Sequence, residues 1–316
     1  MFKKIIHLSV LVALITVAAS AQAQAAPKGS APVAADPRTG IDISWPQCGK
    51  ALPSGQAYAI VGVNGGTAAT KNACLADQLK WANTNTAGNN ANQPKLQLYV
   101  NTANPYDDIP AYPNTVWPTS NIDPKGTNTL DNTNPALKNP YGACVTNPST
   151  FKNYDNSLAC SWQYGWDRSV TTVQDYFVPT AQSVAGVSAS PADYVWWLDV
   201  ETMNSWQLNG SAEAKARNTA SLEGMKQYYD SIGAKKVGLY STSYQWGVIV
   251  GNTTNLPTST APATGANLKG LDSWLAGASS AADAKKRCVN AVGLTGGKAT
   301  LIQYISRNLD YNYSCV

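Results

Sequence analysis

Tyr194-Val195-Trp196-Trp197-Leu198-Asp199-Val200-Glu201 is an apolar run that ends in two carboxylates two residues apart. Side chains on a strand alternate with a period of two, so Asp199 and Glu201 share one face, their Cα atoms about 6.5–7 Å apart. The apolar and aromatic residues before the pair place the run inside a sheet rather than at a solvated edge. Two acids at that distance perturb each other, and burial beside Trp197 raises at least one pKa, as a general acid requires. Buried charge is expensive and concentrates at functional sites, so the pair is a candidate acid/base centre.

Outward from this run, strands and helices alternate. Strands are expected over residues 40–44, 58–64, 96–101, 194–201, 237–241, 273–276 and 300–305. Helices are expected over 72–81, 167–184, 212–232 and 244–250, with little helix after Trp274. Such alternation implies a parallel sheet. In most strands one face stays apolar while the other turns polar at its C-terminal end, presenting Asp42, Ser44, Asn64, Tyr99, Asn101, Asp199, Glu201, Tyr240, Thr242 and Gln303. Polar groups converging from several strand ends are what a (β/α) barrel site needs, whereas an open sheet would gather them at one switch point. Gly62-Val63-Asn64-Gly65-Gly66 lacks the dinucleotide spacing. The expected fold is therefore α/β: a single TIM-like (β/α) barrel, irregular, with helix-poor final strands and disulfide stabilisation.

Lys3 and Lys4 precede an apolar stretch over 5–19 and the small-residue sites Ala21-Gln22-Ala23 and Ala23-Gln24-Ala25. Residues 1–25 read as a secretory signal peptide whose apolar core is too short for a membrane span. Residues 26–39, rich in Ala and Pro, form a flexible leader, and 40–316 a single barrel domain. A secreted protein without stable membrane insertion is expected. Its six cysteines, Cys48, Cys74, Cys144, Cys160, Cys288 and Cys315, then read as disulfides, none having Cys-x-x-Cys spacing. Proximity favours Cys48–Cys74, Cys144–Cys160 and Cys288–Cys315.

The single histidine, His7, lies in the signal segment. Ser-His-Asp and Cys-His machinery and ordinary zinc sites are thereby excluded, leaving acid–base work to Asp, Glu, Tyr or Lys. Loss of Lys3 and Lys4 lowers the formal charge from +4 to +2, and no basic cluster invites nucleic acid. The ten Trp and sixteen Tyr can stack on sugar rings as well as pack a core. Several lie in the Asn/Pro-rich stretch 102–166, among them Tyr106, Tyr112, Trp117, Tyr141, Trp162, Tyr164 and Trp166. That stretch is expected as a long loop over the C-terminal face, forming a wall of a cleft, or else as a surface elaboration held by its disulfide.

Taken in order, Gly40-Ile41-Asp42-Ile43-Ser44 with Gln47, Leu198-Asp199-Val200-Glu201, Gly238-Leu239-Tyr240-Ser241, Trp274-Leu275-Ala276, and Ile302-Gln303-Tyr304 followed by Asp310 resemble the family-25 glycoside hydrolases, the lysozyme-like muramidases. The resemblance spans residues 40–315. Segments such as Trp45-Pro46-Gln47-Cys48 and Asp199-Val200-Glu201-Thr202 are also similar to exported actinobacterial proteins of unassigned activity. The family resemblance implies an irregular barrel that cleaves the β-1,4 bond after N-acetylmuramic acid in peptidoglycan. It implies Glu201 as general acid, Asp199 as its ionised partner, and Asp42 and Asp310 as further acids of the cleft. Either carboxylate attack or help from the substrate's acetamido group would follow.

Asp42 is expected to join Asp199 and Glu201 in catalysis, and Asn64, Tyr99, Asn101, Tyr240, Gln303 and Asp310 to bind substrate. Asn64 stands where the family commonly has a basic residue, and Tyr99-Val100-Asn101 where it usually offers a histidine. The expected partner is cell-wall glycan or another polysaccharide, met by a monomer without cofactor or metal, since the acids lack the compact spacing of a Ca²⁺ or Mg²⁺ loop. The alternative is a non-catalytic carbohydrate-binding barrel in which the same acids only hydrogen-bond sugar hydroxyls.

Overall fold

The computed structural model describes residues 36–105, 117–145, 156–251 and 268–316. The signal segment with His7, most of the leader, and Tyr106 and Tyr112 lie outside the described residues. The described residues belong to one compact unit.

Eight strands close a barrel in sequence order: β1 (Thr39–Ile43), β2 (Ala59–Gly62), β3 (Leu96–Asn101), β4 (Val195–Asp199), β5 (Lys236–Ser241), β6 (Asp272–Ala278), β7 (Ala299–Ser306) and β8 (Leu309–Ser314). Neighbours from β1 to β7 are parallel, but β8 runs antiparallel to both β7 and β1. This closing strand corrects the expectation of a wholly parallel sheet. Arg307 and Asn308, at φ 52° and 60°, form a two-residue hairpin turn of the kind that needs positive φ at both positions. The chain therefore reverses directly, where a parallel connection would need a crossover. Leu309-Asp310-Tyr311-Asn312-Tyr313-Ser314 does alternate, yet its polar residues are the ones turned towards the barrel. That is the parity of β3 as well, with apolar residues outward and polar residues inward.

Helices cover the outside: α1 (Leu75–Asn85), α2 (Leu158–Thr171), α3 (Val178–Gln182), α4 (Ala212–Ser231), α5 (Ser243–Ile249) and α6 (Ala281–Cys288). Ser157 caps α2, its hydroxyl accepting from the Cys160 N–H at 3.2 Å, so the helix starts well before residue 167. A wide π-type turn, Thr172–Phe177, joins α2 to α3, and Pro179 in α3 has no N–H to give back to that turn. Only a short 3₁₀ turn, Trp45–Gln47, stands between β1 and β2, and the single helix between β6 and β7 is α6, eight residues long. The last strands are therefore poor in helix.

The strand faces sort cleanly. Ile41, Ile43, Val61, Leu98, Val100, Trp196, Leu198 and Leu239 point outward into the layer shared with the helices. Within that layer α2 and α4 meet at backbone contact, since a Cβ on Gly165 would lie 1.9 Å from the Ser221 carbonyl oxygen. Tyr58, Ile60, Val195, Trp197, Tyr240, Trp274 and Leu301 fill the barrel interior. The interior is thus a packed core whose upper layer, near the C-terminal strand ends, is aromatic.

Disulfides join Cys48 to Cys74, Cys144 to Cys160 and Cys288 to Cys315. The second ties the segment 117–145 to α2. Hydrogen bonds of that segment run to the same flank: Asn121 donates to Gln163, Asp123 accepts from Trp166, Tyr141 donates to Glu223, and Gln227 donates to the Pro135 carbonyl. Among the described residues no helix is long and apolar enough to cross a membrane.

Candidate active site

The aromatic layer forms the floor. Trp274 on β6, only 1% exposed, takes Tyr240 at 4.3 Å, Trp197 at 5.9 Å and Tyr99 at 6.1 Å between ring centroids. Glycine makes room for these rings. A Cβ on Gly238 would lie 2.3 Å from the Trp197 ring, and one on Gly62 2.6 Å from that of Tyr99. The interior must therefore alternate large and absent side chains between neighbouring strands. Any substitution at Gly238 pushes Trp197 into the layer above.

Above the floor, amides hold the carboxylates. Asp42 lies directly opposite Asp310 across the β1–β8 pair. Its Oδ1 accepts from Gln303 Nε2 at 3.1 Å and from Asn312 Nδ2 at 2.7 Å. Gln303 Oε1 in turn accepts from the Tyr240 hydroxyl at 2.8 Å, which links β5, β7 and β1 across the barrel. Asp199, at the last position of β4, accepts through Oδ2 from Asn101 Nδ2 at 3.1 Å. Its Oδ1 is buried and unpartnered.

Glu201 stands two residues beyond the end of β4, so the acid pair is only half on the strand. Val200 N–H still donates to the Tyr240 carbonyl at 2.9 Å, which carries the extended course one residue further. Trp206 Nε1 donates to the Glu201 carbonyl at 3.0 Å, and the Gln245 side chain lowers the pKa of the Glu201 carboxyl. Asp42 and Asp199 are buried, while Glu201, Asp310, Tyr99 and Asn101 are half-buried. The site has a sealed base and a wetted rim.

All four acids hold their protons above the ordinary carboxylate range. For Asp42 the main cause is burial, then the charge of Asp310, opposed by the Asn312 and Gln303 amides. For Asp199 it is burial, then Glu201 and Asp42. Burial also raises Glu201, with Asp310 adding to it and the Gln245 bond acting against it, and burial raises Asp310. Four coupled carboxyls of this kind titrate as a set and share protons. Among the described residues no group of three or more His, Cys, Asp or Glu side chains is arranged to hold a metal ion.

The barrel thus gathers Asp42, Tyr99, Asn101, Asp199, Glu201, Tyr240, Gln303 and Asp310 at its C-terminal mouth. Asn64 is different, because β2 ends at Gly62 and the chain then turns outward. Its amide donates to the Ala68 and Thr70 carbonyls at 3.4 Å and to Thr172 Oγ1 at 3.5 Å, and its Oδ1 accepts from Asn101 N–H at 3.1 Å. Asn64 ties a turn to the helix layer, and its bonding capacity is used there. Sequence reasoning missed Asn312, Gln245 and the central place of Trp274. Asn312 was findable, since it falls one strand period after Asp310.

No family model matches the chain, and no curated protein matches it either. Among solved structures it is similar to a muramidase from Trichobolus zukalii, at 13% identity and a TM-score of 0.38 over 87% of this chain and 92% of that one. It is likewise similar to a family-25 glycosyl hydrolase of Streptococcus pneumoniae, at 15% identity and a TM-score of 0.40 over 88% and 86%. A bacterial lysozyme from Streptomyces coelicolor gives 14% identity and a TM-score of 0.37 over 87% and 91%.

Proposed function

We propose that the chain is an exported glycoside hydrolase that cleaves β-1,4 bonds of cell-wall peptidoglycan, with Glu201 as proton donor and Asp199 as its carboxylate partner. The observation that carries this reading is the set of four carboxyls gathered at the barrel mouth, with Asp42 facing Asp310 and neutral amides holding Asp42 and Asp199. The motif resemblance to family-25 hydrolases supports the same assignment.

Burial raises all four acids, so the set shares protons in the free protein. A bound sugar would act on that sharing at two places. An N–H or O–H of the substrate donating to Asp199 Oδ1 would favour the ionised form of Asp199. The same sugar would cover Glu201 and displace its water, favouring the protonated form there. Substrate binding would so move a proton outward to Glu201, which delivers it to the departing glycosidic oxygen. Ionised Asp199 would then stabilise the positive charge that develops on the ring or its acetamido-derived intermediate. Asn101 would fix Asp199, and the Tyr240–Gln303 link would fix Asp42.

Turbidity loss of a cell-wall suspension tests the reading. The wild type is expected to clear it, and Glu201→Gln to do so about a hundredfold more slowly or worse, as loss of a general acid costs. Glycan binding by both proteins with no clearing by either would leave a carbohydrate-binding barrel.

A further inference from the structure

We infer that Gln245 is a positioning residue for Glu201, clamping the turn after β4 so that its amide group fixes the Glu201 carboxylate at the rim. The inference rests on the hydrolase reading for its consequence, but its geometry stands by itself. Gln245 Oε1 accepts from Thr202 N–H at 2.6 Å and from Thr202 Oγ1 at 3.0 Å. A backbone N–H can only donate, so the oxygen of the amide must face Thr202 and the NH₂ must face the other way. That turns the NH₂ away from Thr202 and leaves it for the carboxylate of the preceding residue, Glu201, whose pKa the Gln245 side chain lowers.

The clamp is itself anchored. Gln245 N–H donates to the Thr242 cap of α5 at 3.1 Å, and Trp246 beside it is buried. On the other side, Trp206 holds the Glu201 carbonyl. Glu201 is therefore fixed at its backbone by one element and at its carboxylate by another, as a group that must meet a leaving oxygen requires.

A donor to the carboxylate favours the ionised form. Everything else facing Glu201 works the other way: Asp199 from β4, Asp310 from β8, and the hydroxyl-bearing rings of Tyr99 and Tyr240 from β3 and β5 supply no positive charge. Gln245 is thus the group that stops Glu201 from holding its proton too firmly to give it up. Removing the donor should raise the pH at which Glu201 ionises.

The chain has only three glutamates, Glu201, Glu213 and Glu223. Carboxyl-labelled glutamate therefore gives a readable titration by NMR, with Glu201→Gln assigning the signal. In Gln245→Met the Glu201 titration is expected to move upward by about half a pH unit or more, with Glu213 and Glu223 unmoved. Cell-wall lysis should lose kcat rather than gain KM, and its alkaline limb should shift in the same direction. Gln245→Leu also removes the donor, adds neither a charge nor a new glutamate, serves as the second variant and should shift Glu201 by a similar amount. A Glu201 titration that stays at its wild-type position in both variants overturns the inference. Because the titration is read without substrate, variants that show the shift beside a wild type that never lyses walls count against the hydrolase reading alone.

Discussion

The barrel mouth and the α2–α4 flank both carry partly or fully buried carboxyls, and the two differ in what surrounds them. On the flank, burial pushes Asp167 up to about 8 and Glu223 up to about 7. Each has a private partner: Gln163 donates to Asp167 at 2.8 Å, and the Tyr141 hydroxyl donates to Glu223. At the mouth the acids act on one another, and Asp199 keeps an oxygen without a donor. A raised pKa is therefore common to both regions and by itself marks neither as functional. Convergence of several acids on one set of strand ends is what separates the mouth from the flank.

Substitution should break that symmetry most sharply. Glu201→Gln and Asp199→Asn are expected to lower cell-wall lysis by about a hundredfold or more, while Asp167→Asn and Glu223→Gln leave the rate within about twofold. Lysis rates of the four variants at matched circular dichroism check this. Comparable losses at both places would erase the distinction.

The next effect belongs to the flank. Replacing Cys144 and Cys160 together by Ser removes the bond across a separation of 16 residues. That should cost about 3 kcal/mol of stability, by loop-closure arithmetic. Lysis under native conditions should persist, because the segment 117–145 bonds to α2 and α4 rather than to the mouth acids. Denaturant unfolding alongside a lysis assay reads both quantities.

Smaller effects come from pH. A carboxyl whose folded pKa is raised is protonated in the native state before it is in the unfolded chain, so stability falls as pH rises through the gap. For Glu223 that window runs from 4.5 to about 7, and for Asp167 from 3.8 to about 8. The mouth acids act in the same direction. The wild-type Tm should therefore decline from mildly acidic to mildly alkaline pH, and the Asp167→Asn, Glu223→Gln double variant should flatten part of that decline in calorimetric scans. At the mouth, Asp42→Asn keeps an acceptor for Gln303 and Asn312 and removes a buried acid. It should raise Tm at neutral pH by about 2–4 °C while lowering lysis, the exchange of stability for activity expected of a working site.

Much of the barrel was legible because its strands obey simple parity. Leu96-Gln97-Leu98-Tyr99-Val100-Asn101 alternates outward apolar with inward polar side chains, and the structure places a strand over Leu96–Asn101. The acid pair after Trp197 was legible for the same reason. β8 shares that parity, but it follows β7 through the two-residue turn Arg307-Asn308 with no helix between, so the alternation of strands and helices does not announce it. Asn64 was misplaced because parity cannot tell where a strand stops. Gln245 carries no local signal at all: it sits on the first turn of α5, and only the closure of β4 beside β5 brings it to Thr202.

The central claim is that Glu201 performs proton transfer on a glycan. Counting new reducing ends released from purified peptidoglycan by the wild type and by Glu201→Gln tests it most directly. The account predicts N-acetylmuramic acid ends accumulating with the wild type and about a hundredfold fewer with the variant. No new ends from the wild type, or equal numbers from both proteins, would contradict it.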